Sequence, residues 1–149
     1  MAGRRLVPLA VAVVLLVAAA PAAAARHHHH DDARTDTPRA ERAIAWFRAH
    51  IGETAWEGYC ERAVENSFGT EHRYADARAN WESGRGRRHG DWRRAPRGAL
   101  VFWSTSEHAH VAISLGDGTV LTTSAGGRIG RVRIGFFPRV LGWKRADWA

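Results

Sequence analysis

Cys60 is the only cysteine in the 149-residue chain, and 50 residues after it His110 stands in the run His108-Ala109-His110-Val111-Ala112-Ile113. A lone cysteine cannot close an internal disulfide. In an exported protein it is an intermolecular link, an inert buried thiol or a reactive one. A cysteine and a histidine that meet in the fold are the minimum apparatus for thiolate nucleophilic catalysis. Cys60 opens a predicted helix over 60–68, in which Cys60, Ala63, Val64, Ser67 and Phe68 share one face. In the first turn, unpaired N–H groups and the positive end of the helix dipole lower a thiol pKa. The same face also suits Cys60 as a small core residue beside Val64 and Phe68. His110 falls on a predicted strand over 108–115. There Ala109, Val111, Ile113 and Leu115 face one way, and His108, His110, Ala112 and Ser114 the other. A histidine held on a rigid sheet is well placed as a general base. His108 shares that face, and spacing alone does not choose between the two. His110 is preferred because it stands further from the strand end and small Ala112 leaves space beside it.

The remaining elements must carry these two residues to one place. A first helix is predicted over 40–50, with Ala43, Trp46, Phe47 and His50 on one stripe and Gly52 ending it. A third helix is predicted over 74–82, with Ala75, Ala77 and Trp81 inward. Residues 83–97 form a loop rich in Gly, Arg and Pro, with Arg85, Arg87, Arg88, Arg93, Arg94 and Arg97 around Trp92. Such a mixture can grip nucleic acid, but it reads here as a solvated connection. Strands follow over 99–103, 108–115, 119–124, 128–134 and 140–143. Gly116-Asp117-Gly118 marks a hairpin and Gly126-Gly127 a second turn. Helices followed by an antiparallel sheet predict an α+β fold.

Residues 1–25 read as a signal peptide. Arg4 and Arg5 form the positive n-region, 6–20 is an apolar run, and Ala23 and Ala25 supply an A-x-A cleavage site. The apolar run is shorter than the roughly 20 residues a spanning helix needs. The mature protein is therefore expected outside the cytoplasm, secreted or in the cell envelope, without stable membrane insertion. Removing Arg4 and Arg5, with no acid lost, takes the formal charge from +7 to +5. That balance suits an anionic partner such as an acidic wall polymer. Residues 26–39 read as a disordered leader. Its His27–His30 tract could hold a transition metal weakly, though a flexible linker is the plainer reading. Residues 40–149 suffice for one domain. His89, His108, His110 and Cys60 have no zinc-ligand spacing, so no metal or other cofactor is expected.

Several segments taken together resemble the CHAP and NlpC-type cell-wall peptidases. They are Trp56-Glu57-Gly58-Tyr59-Cys60-Glu61-Arg62-Ala63-Val64, Trp81, Pro96-Arg97-Gly98-Ala99-Leu100-Val101-Phe102-Trp103, and His110-Val111-Ala112-Ile113-Ser114-Leu115-Gly116-Asp117-Gly118. The resemblance covers about residues 40–145. It implies a papain-like fold and a cysteine amidase or endopeptidase that cuts amide bonds of peptidoglycan; separately, an exported chain is not expected to bind nucleic acid, and a monomer is expected. Cys60 would be the nucleophile and His110 the base. The third residue, which orients the imidazole, would fall near Thr122, where the family usually has a His, Asn, Asp or Glu. Tyr59, Trp103 and His108 would line the substrate groove, and the Cys60 N–H would serve the oxyanion. The Tyr59-Cys60-Glu61-Arg62 context also departs from the family pattern. A non-catalytic wall-binding module on the same fold is the alternative that these departures leave open.

Overall fold

The structure is a computed structural model and describes residues 37–146. The expected signal peptide, the His27–His30 tract and the expected leader up to residue 36 lie outside the described residues. Three helices come first: α1 (Thr37–Ala49), α2 (Cys60–Ser67) and α3 (Ala77–Glu82). Helix α1 starts three residues before the expected position. Pro38 sits in its first turn, where a missing N–H costs nothing. Ala40, Ala43, Ile44 and Phe47 form its buried stripe. Helix α3 is shorter than expected at its start. The Asp76 carboxylate accepts the Ala79 N–H at 2.8 Å and caps the helix there, so Tyr74 and Ala75 stay outside it.

The sheet has five strands: β1 (Leu100–Trp103), β2 (His110–Ser114), β3 (Thr119–Thr122), β4 (Gly130–Arg133) and β5 (Val140–Lys144). Their order is β4-β3-β2-β1-β5, and every pairing is antiparallel. The α+β architecture expected from the sequence is the one observed. Gly116 and Gly118 turn β2 into β3 with φ of 79° and 81°, a region that glycine enters without the strain of a Cβ.

The alternation expected in β2 was that of a half-buried strand, but β1 and β2 are buried along their whole length on both faces. One face meets the helices: Leu100, Phe102, Val111, Ile113 and Leu121 pack with Ile44, Phe47, Ala63 and Val64. The other face carries Val101, Trp103, Ala112, Val120 and Trp143 beneath Ala95 and Ile134. The cover comes from the arginine-rich loop and a 3-10 turn over Ile134–Phe136. The loop is pinned there. Ser114 Oγ donates to the Ala95 carbonyl at 3.0 Å. The His89 ring stacks on Trp143 at 3.9 Å, and the backbones of those two residues exchange hydrogen bonds of 2.9 Å. Its apolar anchors Trp92 and Ala95 explain why a segment so rich in Arg and Gly is more than a solvated link.

Candidate active site

His110 is the first residue of β2 rather than its third. Ala109 before it has φ of 58°, a left-handed kink that ends the strand and takes His108 out of the sheet. The kink is braced by α3. Arg78 donates through its backbone N–H to the His108 carbonyl at 2.9 Å. Its guanidinium donates to the Glu107 carbonyl, to the Ser106 carbonyl at 3.0 Å and to Ser104 Oγ at 3.2 Å. The first residue of β2 is thereby fixed in position.

The His110 ring is buried. Its Nε2 lies 2.7 Å from Thr122 Oγ1 on β3. Phe137 flanks the ring at a centroid distance of 4.7 Å and Trp103 at 5.7 Å. Thr122 Oγ1 also accepts the Ser124 N–H at 3.3 Å. The network suits the tautomer in which Nε2–H donates to the threonine oxygen. Nδ1 then keeps its lone pair. Burial pushes the imidazole pKa down to about 4, so the ring is neutral near pH 7 and its lone pair is available as a base.

Cys60 opens α2 after Tyr59, whose backbone breaks helical geometry. The sulfur rests against the backbone of β2 at Val111, the residue after His110. Burial raises the thiol to about 11. The Val111 N–H pulls the other way, the Glu61 charge adds to the rise, and the N–H groups of Glu61 and Cys60 again oppose it. A helix start alone would lower this pKa. The opposite holds, because the N–H groups around the sulfur do not offset its removal from water. At rest the pair is therefore a neutral thiol and a neutral imidazole.

Cys60 and His110 line the same cleft of about 610 Å³, together with Tyr59, Glu61, His108 and Ser124. Tyr59 is exposed at its edge. His108 is exposed at the mouth, where its Nδ1 meets the Asp76 carboxylate at 2.8 Å. That hydrogen bond raises the His108 pKa. Trp103, expected in the substrate groove, is not there. It has no exposed surface and donates Nε1–H to the Ile134 carbonyl at 3.0 Å. Its place is under His110 as packing. Glu61, which the sequence marks only as a departure from the family pattern, lies buried in the cleft wall. No residue-type signal marks it, since a glutamate beside an already filled apolar face is expected in solvent. Among the described residues no group of three His, Cys, Asp or Glu could hold a metal ion, and no helix is long and apolar enough to cross a membrane.

No protein-family profile matches the chain, and no curated protein sequence matches it. Solved structures do. The P60 domain of an antigen from M. avium subspecies paratuberculosis superposes with a TM-score of 0.54 at 18% identity, covering 73% of this chain and 95% of that one. NlpC1 and NlpC2 from Trichomonas vaginalis give TM-scores of 0.51 and 0.50 at 19% and 18% identity. Those two alignments take in 74% and 72% of this chain but 44% and 46% of theirs. Identities this low speak to architecture alone. The chain has the papain-like α+β fold of NlpC/P60 domains.

Proposed function

We propose that this chain is an exported cysteine hydrolase that cleaves amide bonds in bacterial peptidoglycan or related wall peptides. The observation that carries the reading is the buried 2.7 Å contact between His110 Nε2 and Thr122 Oγ1, set in the cleft that Cys60 enters from the start of α2. It holds the ring in one direction, and in the tautomer with Nε2–H donating to Thr122 it leaves Nδ1 as a base. Cys60 would attack the amide carbon as His110 takes its proton. The imidazolium would then protonate the leaving amine, and water activated at His110 would hydrolyse the thioester. With the thiol held near 11 and the imidazole near 4, a resting ion pair is disfavoured. Proton transfer would accompany attack on bound substrate. The Cys60 N–H is the oxyanion donor in this scheme.

Thr122 would orient His110 without a charge to stabilise the imidazolium, a weaker partner than the acid of a triad. Replacement by valine should lower kcat by about 10- to 100-fold with KM little changed, because the ring loses its fixed direction. Steady-state kinetics on a wall peptide check this. The reading itself is tested by incubating the protein with purified sacculi. New free amino groups without new reducing sugar ends support an amidase or endopeptidase. New reducing ends, or no cleavage, overturn it. The uncharged Thr122 and the raised thiol also favour a second reading, a wall-binding module without hydrolysis. That reading predicts that the protein is retained on sacculi and that no new amino groups appear.

A further inference from the structure

Glu61 follows Cys60 in the chain and is only 5% exposed. Its Oε1 accepts a hydrogen bond from Asn80 Nδ2 at 2.7 Å. Its Oε2 is buried with no hydrogen-bond partner, and so is Asn80 Oδ1. A carboxylate here would leave a charged oxygen bare in the interior, which is costly. Protonation supplies the hydrogen that this pair of buried acceptors lacks.

The charges around Glu61 come from each element packed on it. Cys60 and Glu65 share its helix. Asp76 caps α3, which carries Asn80. Lys144 is buried on β5, with Nζ donating to the Asn80 carbonyl, to the Arg85 carbonyl at 3.0 Å and to Ser83 Oγ at 3.3 Å. His110 lines the same cleft, and His108 pairs with Asp76. Burial raises the Glu61 carboxyl to about 8. The Asn80 hydrogen bond opposes this, Glu65 adds to it, Lys144 opposes it and Asp76 adds to it.

We propose that Glu61 is a positioning residue that works as the neutral acid, tying the start of α2 to α3 through Asn80, and that its ionisation holds back the Cys60 thiolate. The geometry supplies the coupling: the carboxyl and the thiol are adjacent in the chain and line one cleft, and the Glu61 charge raises the thiol pKa. The sign follows directly. Below about pH 8 the carboxyl is neutral and does not oppose the thiolate. Above it, the new negative charge does. The catalytic consequence rests on the reading of Cys60 as nucleophile, while the coupling itself does not.

The test is the rate of Cys60 alkylation by iodoacetamide in the full chain from pH 6 to 11, beside the hydrolysis profile on sacculi. For the wild type, the logarithm of the alkylation rate should rise with pH, flatten near pH 8 as Glu61 ionises, and then resume. The suppression across that inflection is on the order of 10-fold. In Glu61→Gln, which keeps the shape and carries no charge, the inflection should vanish. A wild-type curve with one simple rise, or an inflection that survives in Glu61→Gln, overturns the proposal. The wild-type curve decides by itself if the variant fails to fold. An inflection abolished by Glu61→Gln, with no hydrolysis in either protein, upholds the coupling and overturns the hydrolase.

Discussion

Under the proposed mechanism Cys60→Ala is expected to abolish hydrolysis of purified peptidoglycan, a loss of at least about 10⁴-fold in kcat, because the attacking thiol is gone. His110→Ala should lose about 10²- to 10⁴-fold, the usual range for a general base. The two losses should not add, since thiol and imidazole act as one unit. The double variant should be scarcely worse than Cys60→Ala. Cys60→Ser is the sharper probe. A serine hydroxyl is much harder to ionise than a thiol, and a base held near pKa 4 is too weak to activate it. Hydrolysis that survives Cys60→Ser at the wild-type level would sink the assignment. Cys60 is half-buried, so the alanine variant should fold, and a melting temperature near wild type would tie the loss to chemistry.

Gly142→Ala is expected to cost more than about 4 kcal/mol and to leave little folded protein at 37 °C. Gly142 lies on β5 with φ of 140°, where a side chain is strained. A Cβ there would also run into the His89 carbonyl oxygen and lie 3.2 Å from the Trp81 ring. The neighbours cannot retreat cheaply. His89 is bonded through its backbone to Trp143 on both sides, and that bridge holds the loop over the second core. The pairing register between β1 and β5 shifts just beyond Phe102, the partner of Gly142. Alanine would therefore strike the sheet at its most irregular point. Urea unfolding followed by tryptophan fluorescence checks this, and a loss under about 1 kcal/mol would refute it.

Much of the fold was legible because its signals are local. The 60–68 spacing, the Gly116-Asp117-Gly118 turn and the helices-then-strands order all survive, with boundaries moved by a few residues. What was illegible depended on tertiary cover. Alternation in β2 suggested one wet face, and nothing local in 83–97 announces that Trp92 and Ala95 roof it. The same blind spot misplaced Trp103, since a tryptophan beside a predicted site reads as a groove wall until its partner Ile134 is known. His108 and His110 looked equivalent by period, and only the positive φ of Ala109 separates them. The Thr122 position came from the family resemblance alone, and the hairpin between β2 and β3 is what brings its hydroxyl to His110. The thiol pKa went the wrong way for a related reason: a helix start is visible in sequence, whereas burial is not.

The cleft keeps the thiol of the chain's only cysteine largely out of water and in its protonated form. Oxidants and foreign disulfides react with the thiolate, not the thiol. At neutral pH a thiol held near 11 offers them very little thiolate. A cysteine with no disulfide partner in its own chain is thus shielded against sulfenic acid and mixed-disulfide formation by the same burial that makes it slow to ionise. Under the proposed mechanism its reactivity is spent only where a bound acyl group and the His110 base arrive together.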